Sequence, residues 1–399
     1  MSNMKYMRGN QAAAEAARLS RIEFMAAYPI PPSAEIMEAI RTYIQEGRLK
    51  AGFLEADGEK SAQAACYAAA FSGCRSFNAT SSQGLLFMHE TLHMIPGQRL
   101  PMVLVVGNRS VFSPHGMQCD HTDAVSQRDT GWLQLYCGTV QEVFDTVIQA
   151  FKISEHPQVK LPVMVCEDGY WLTHSLECTT VPTQEEVDAF LPPYQPKDYD
   201  YIAPYGPSFF TSLAMMDNWF SEYKYQELAA ERTALKVIEE VDQEFGERFG
   251  RSYGGLLEPY MVDDAEVIVI GMGSVMVTAR HTVDIMRSAG KRVGIVKLRA
   301  FRPFPRKRLV EVVAASGGVK MLVVIEKTHV GALFDEVRSA LYGLDNRPGV
   351  LGFGAGINGR DVSPYNMIDL FEQGFKNIGN GSLPDEPQLY FIRKKESDV

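Results

Sequence analysis

The sequence predicts an α/β protein with mostly parallel sheets, arranged in two successive units. Three observations support this. Continuous apolar runs recur along the chain: "PMVLVVG" (101–107), "LPVMVCED" (161–168), "AEVIVIG" (265–271) and "MLVVIEK" (321–327). Runs without polar alternation are strands buried on both faces, and their alternation with helices indicates parallel sheets covered on both sides. Between them lie segments with helical spacing of apolar residues, several closed by glycine. At 399 residues, finally, the chain is too long for one compact core.

In order, "RIEFMAAYPI" should end in a strand, and "AEIMEAIRTYIQEG" reads as a helix closed by Gly47. The Ala-rich "KSAQAACYAAAFSG" is a second helix, closed by Gly73. "RSFNAT" is a strand, "QGLLFMHETLHMI" one helix and "VQEVFDTVIQAFKISE" another. Residues 182–255 read as a linker: a Pro- and Tyr-rich irregular stretch, then one long helix over "YQELAAERTALKVIEEVDQEFGERFG". A second α/β unit follows from 256 to 399. Its elements are "AEVIVIGMGS", a helix to about Ala289, a strand over "RVGIVKLRAF", a helix, "MLVVIEKT" and a final helix.

The formal net charge of −10 argues against nucleic acid or an anionic membrane as main partner. No apolar stretch approaches the roughly 20 residues of a membrane span, and "MSNMKYMRGNQAAAEAARLSR" has no apolar signal core. A cytoplasmic location is expected. None of the six cysteines forms a C-x-x-C pair, so buried free thiols are expected rather than an iron–sulfur or zinc site.

Three motifs invite a sharper reading. "HETLH" (89–93) satisfies H-E-x-x-H, but its helix is apolar and expected to be buried, so chance spacing is favoured and no metal site is expected. "GMGSVM" (271–276) opens like a dinucleotide fingerprint but has Met276 in place of the third glycine. A tight strand–helix turn, or a turn holding a phosphate or a partner's group, accounts for it. The loop "NRSVFSPHGMQCDHTDAVSQRDTGW" (108–132) follows the carboxyl end of a buried strand, where open α/β sheets place ligands. Arg109 there suits a carboxylate, with a surface salt bridge as the plain alternative. The stiff "YPIPPS" (28–33) precedes a helix that Ser33 can cap, with Glu35 in its first turn.

Taken in order, "YPIPPSAE", "EADGEKSAQAACYAAAFSGCRSFNATSSQGLLFMHE", "LPMVLVVGNR", "DAVSQRDTGW", "FRPFP" and "GINGRD" closely resemble the alpha subunit of 2-oxoacid:ferredoxin oxidoreductases. The pyruvate:ferredoxin oxidoreductases are its best-known members, and phenylglyoxylate dehydrogenase is a branch of the same superfamily. The resemblance implies a thiamine diphosphate-binding pyrimidine-side domain over 1–255 and a transketolase C-terminal-like domain over 256–399. It implies oxidative decarboxylation of a 2-oxo acid with CoA as co-substrate. Electrons would pass to [4Fe-4S] clusters on partner subunits, then to ferredoxin or another acceptor.

The G-D-G diphosphate motif is missing here, so a beta subunit is expected to supply Mg2+ and the diphosphate ligands, beside gamma and ferredoxin-like subunits. This chain alone is expected to hold no iron and to be inactive. By the resemblance, "YPIPPS" (Tyr28, Pro29, Pro31) walls the pocket and Glu59 binds the aminopyrimidine N1′, promoting proton removal from the thiazolium. Arg109 matches the arginine that holds the substrate carboxylate. Pyruvate-using relatives usually read "YPITPS", so Pro31 replaces a threonine hydroxyl, and Phe112 lies on the loop after Arg109. A bulky or aryl 2-oxo acid such as phenylglyoxylate is therefore expected, with pyruvate as the alternative. A self-contained NAD dehydrogenase and a non-catalytic scaffold are the rival readings.

Overall fold

Two sheets organise the chain in the computed structural model, which describes residues 3–196 and 220–392. The first has seven strands, ordered Ala300–Arg302, Leu133–Tyr136, Val163–Asp168, Val103–Asn108, Ser76–Thr80, Phe24–Ala27 and Gly52–Glu55. All neighbours pair parallel except the antiparallel edge strand Ala300–Arg302. The second has six strands, ordered Gln388–Leu389, Gly349–Gly354, Met321–Glu326, Val267–Gly271, Val293–Leu298 and Leu257–Tyr260. Only Leu257–Tyr260, at its edge, runs antiparallel. The four apolar runs that carried the expectation are buried at every strand position. The fold is the expected α/β class.

Helices flank both sheets. Gly9–Leu19, from the run "GNQAAAEAARL", packs on Val140–Ser154. Its five alanines are fully buried, because small side chains let two helix backbones approach closely. The sequence reading named no helix there. An antiparallel ribbon of Asn3–Arg8 with Leu176–Val181 also went unassigned.

Four expectations need correction. The segment 83–95 is two helices, Ser82–Phe87 and His89–Gly97, divided at Met88. The Met88 N–H donates back to Gly84, while its carbonyl accepts both the Leu92 N–H and the Thr91 hydroxyl, which closes one helix and opens the next. The irregular stretch after 182 contains the helix Gln184–Phe190, started by a capping box of Thr183 and Glu186. Its Pro- and Tyr-rich remainder at 197–219 lies outside the described residues. The strand expected over 292–301 splits at Arg299, passing from the second sheet (Val293–Leu298) to the first (Ala300–Arg302). The buried Arg299 guanidinium pins that crossing through Gln149, Thr146 and the Gly255 carbonyl. Finally, Cys178 is exposed on the ribbon and Cys74 only partly buried, whereas Cys66, Cys119, Cys137 and Cys166 are buried free thiols as expected.

The long helix is observed as Phe220–Phe249. Its buried Ala230, Ala234, Val237, Ile238, Val241 and Phe245 form one stripe at spacings of three and four, the signature of a helix lying on a surface. No helix among the described residues is long and apolar enough to cross a membrane.

Candidate active site

The carboxyl ends of four neighbouring strands in the first sheet deliver the candidate loops. After Ala27 the chain enters Tyr28–Ser33, and Pro32 anchors this loop. Its ring packs where a Cβ on Gly107 or Gly169 would stand, 3.2 and 3.1 Å away, and its carbonyl accepts from Asn10 Nδ2 at 2.7 Å. Pro29 and Pro31 are exposed, and Tyr28 is 38% exposed. Ser33 occupies the N-cap position of the helix Ala34–Gln45, but it is not the side-chain cap expected. Its backbone is already α-helical, and its hydroxyl donates to the Ile30 carbonyl while accepting from Ser81. The hydroxyl therefore closes the proline loop instead of the helix.

Glu59 is the first residue of the helix Glu59–Phe71, after the extended Gly58. It is half-buried, and its carboxylate has no hydrogen-bond or ion-pair partner among the described residues. It lies against Gly84, where a Cβ would stand 2.7 Å from Glu59 Oε1 and 2.6 Å from Thr80 Oγ1. Only glycine leaves room for that approach. Thr80 Oγ1 and the neighbouring Gln83 Nε2 are buried without partners. Orphaned buried polar atoms are uncommon in proteins, and Thr80 Oγ1, orphaned beside an unpaired acid, suits a polar group that arrives from outside. The residues present thus fit the aminopyrimidine of thiamine diphosphate.

Arg109 is 5% exposed, just past the strand Val103–Asn108. Its Nε donates to the Gly116 carbonyl at 3.1 Å and Nη1 to the Pro31 carbonyl at 2.9 Å. No acidic side chain pairs with it among the described residues, so the expected alternative of a surface salt bridge is not what is found. Its loop is held from the second unit. Asn358 Oδ1, in "GINGRD", accepts from Ser110 Oγ and from the Gln118 N–H, both at 3.2 Å. Phe112 on this loop is 58% exposed and its ring lies 5.1 Å from that of His115.

Asp123, which the sequence reading missed, joins these parts. Its carboxylate accepts from Asn108 Nδ2, the Arg109 N–H and the Ser82 N–H, tying the Arg109 loop to the helix that carries Gly84. Burial raises its pKa to about 6 against those hydrogen bonds.

A buried charge centre, also missed, locks the two units together. Asp168 ends the strand Val163–Asp168 and takes donors from His121 Nε2 at 2.7 Å, the Ser274 N–H at 3.0 Å, Ser274 Oγ and Lys327 Nζ. Burial opposes the charge, but Lys327 and then His121 hold this carboxyl well below the usual range. Ser274 belongs to "GMGSVM", so the anion at that helix N-terminus is the chain's own carboxylate. Gly273, at φ +75°, lets Asp168 Oδ1 come within 2.7 Å of where its Cβ would be. Cys119, His121 and Asp168 offer ligand atoms within 4.8 Å of one another, but Asp168 is already saturated by its donors.

Next to it, Glu167 is fully buried with both carboxylate oxygens unpartnered. Burial, and then the Asp168 charge, raise its pKa to about 8. An acid raised in the folded state stabilises fully below its unfolded value near 4.3, and that contribution is lost as pH rises through about 8. Glu167→Gln should therefore gain stability relative to wild type between pH 5 and pH 9 in denaturant titrations. Parallel pH profiles would refute the buried neutral acid.

Comparison with known proteins bears on the family and the fold. Residues 15–243 match the family described as pyruvate flavodoxin/ferredoxin oxidoreductase, thiamine diP-bdg, and residues 265–367 match pyruvate:ferredoxin oxidoreductase core domain II. The ketoisovalerate oxidoreductase subunit VorA of Pyrococcus abyssi is 40% identical, over 98% of each chain. The pyruvate synthase subunit PorA of Methanosarcina barkeri is 38% identical, over 98% of this chain and 97% of its own. In fold, the 2-oxoglutarate:ferredoxin oxidoreductase from Magnetococcus marinus superposes with a TM-score of 0.71 at 19% identity, over 93% of this chain and 65% of that one. A split-gene transketolase superposes with a TM-score of 0.53 at 10% identity. With family matches over both units and relatives of this identity along nearly its whole length, the chain belongs to the alpha subunits of the 2-oxoacid:ferredoxin oxidoreductases.

Proposed function

We propose that this chain is the alpha subunit of a complex that oxidatively decarboxylates a 2-oxo acid with CoA, yielding an acyl-CoA and CO2. The observation that carries this reading is Arg109, a buried guanidinium without an acidic partner among the described residues, on the sheet edge that also bears the unpaired Glu59. Bound thiamine diphosphate would supply the electron sink that decarboxylation requires. Glu59 would hold a proton at the aminopyrimidine N1′, and Gly84 keeps its carboxylate uncovered for that contact. Arg109 would orient the substrate carboxylate, its other N–H groups being fixed on backbone carbonyls. The exposed Tyr28, Pro29 and Pro31 form a wall suited to closure by a beta subunit. Mg2+ and the [4Fe-4S] clusters would reside on partner subunits, and the domain partition at 255/256 would follow the family's.

For substrate we favour a bulky 2-oxo acid, phenylglyoxylate being the concrete candidate and pyruvate the alternative. Pro31 brings no side-chain donor, and Arg109 binds the same residue's carbonyl, which sets the carboxylate grip beside this apolar surface. Phe112, exposed on the Arg109 loop, supplies a second apolar surface. The relatives divide between ketoisovalerate oxidoreductase and pyruvate synthase subunits at about the same identity, so they favour neither substrate size. The native complex, assayed with CoA and a redox dye, should turn over phenylglyoxylate or a branched 2-oxo acid faster than pyruvate. Pro31→Thr should shift relative kcat/KM toward pyruvate by about 10-fold, the equivalent of one regained hydrogen bond. A wild-type complex faster on pyruvate would overturn the size argument and favour the alternative.

A further inference from the structure

The expectation that "HETLH" lies on a buried helix is wrong in the respect that matters. In His89–Gly97 the apolar Leu92 and Ile95 face inward, whereas His89, Glu90 and His93 are exposed. The imidazoles of His89 and His93, one turn apart, point at each other with Nε2 atoms 3.3 Å apart and ring centroids 4.8 Å apart. We propose that His89 and His93 form a two-imidazole clamp for a zinc-type divalent cation, with Gln127 as its positioning residue.

Two features support the clamp. Nitrogens about 2.0–2.1 Å from a tetrahedral zinc are themselves about 3.3 Å apart, the separation already present. Gln127 Oε1 lies 2.5 Å from His89 Nδ1. An amide oxygen only accepts, so Nδ1 carries the proton and His89 Nε2 is left with a free lone pair toward His93. In the metal-free chain His93 Nε2–H donates to that lone pair; when a cation binds, that proton moves to His93 Nδ1 and the cation takes its place between the two Nε2 atoms. The clamp leaves its remaining coordination positions to water, since no third His, Cys, Asp or Glu among the described residues groups with the two imidazoles.

The site is not hydrolytic. Glu90, which H-E-x-x-H enzymes aim at a metal-bound water, instead pairs with Lys60 at 2.5 Å. That ion pair ties the clamp helix to the residue following Glu59, so a bound cation would stiffen the turn beside the proposed cofactor acid.

Calorimetric titration of the purified full-length chain with ZnCl2 near neutral pH tests this. One Zn2+ should bind per chain, and His89→Ala and His93→Ala should each weaken that event by at least 10-fold. Gln127→Glu, which keeps an acceptor on Nδ1, should retain it, whereas Gln127→Leu should weaken it by roughly 10-fold or more. Circular dichroism of each variant separates lost ligation from lost folding, because both histidines are exposed and their removal should leave the fold intact. No zinc binding by wild type, or equal binding by wild type and both histidine variants, would overturn the clamp.

Discussion

In the assembled complex, Glu59→Gln is expected to lower thiamine-dependent kcat by roughly 100-fold or more, the usual scale for removing an acid–base group. The substitution is nearly isosteric, which matters because the side chain lies against Gly84. An amide keeps the shape and hydrogen-bonding reach but cannot serve as the ionisable partner of the aminopyrimidine. Subunit assembly, checked by gel filtration, should be unchanged, since Glu59 has no partner among the described residues whose loss would unfold the helix start. Activity within threefold of wild type would show that the carboxylate has no proton-handling role. Retained activity would equally favour the scaffold reading.

Arg109→Ala should damage turnover of every 2-oxo acid, because the carboxylate is the part that all of them share. Loss of one charge-assisted hydrogen bond costs about 1.5–3 kcal/mol, or roughly 10- to 100-fold in kcat/KM. The side chain also closes its own loop, through the Gly116 and Pro31 carbonyls, so alanine removes structure as well as charge. Arg109→Lys separates the two effects. It keeps the charge but not the planar fork, and should recover part of the KM while leaving the loop looser. A substrate-dependent loss, severe for pyruvate and mild for phenylglyoxylate, would mean that Arg109 shapes the side-chain pocket instead of gripping the carboxylate.

The class of the fold was legible because buried parallel strands have to be continuously apolar. "PMVLVVG", "LPVMVCED", "AEVIVIG" and "MLVVIEK" satisfy that requirement and are all central strands. Edge strands such as Gly52–Glu55, Leu257–Tyr260 and Gln388–Leu389 face solvent on at least one side, carry no such signature and went unread. Glu59, Tyr28, Pro29 and Pro31 acquired their site roles only through the family's long motifs, since nothing in their local spacing distinguishes a catalytic glutamate at a helix start from an ordinary one, whereas Arg109 was also marked by its place past the carboxyl end of a buried strand.

The sequence by itself determined the period of each element, the places where proline stiffens the chain and the absence of a G-D-G motif. These are local, written within a few neighbouring residues. Tertiary structure alone decided that the carboxylate of Asp168 would fill the helix start at Ser274, 106 positions away. It likewise decided that Asn358 would hold the Arg109 loop from 248 positions beyond Ser110, and that His89 and His93 would face solvent across one turn. The two long-range contacts join loops that follow strands of different sheets, and only the packing of the two units against each other sets those strand ends side by side.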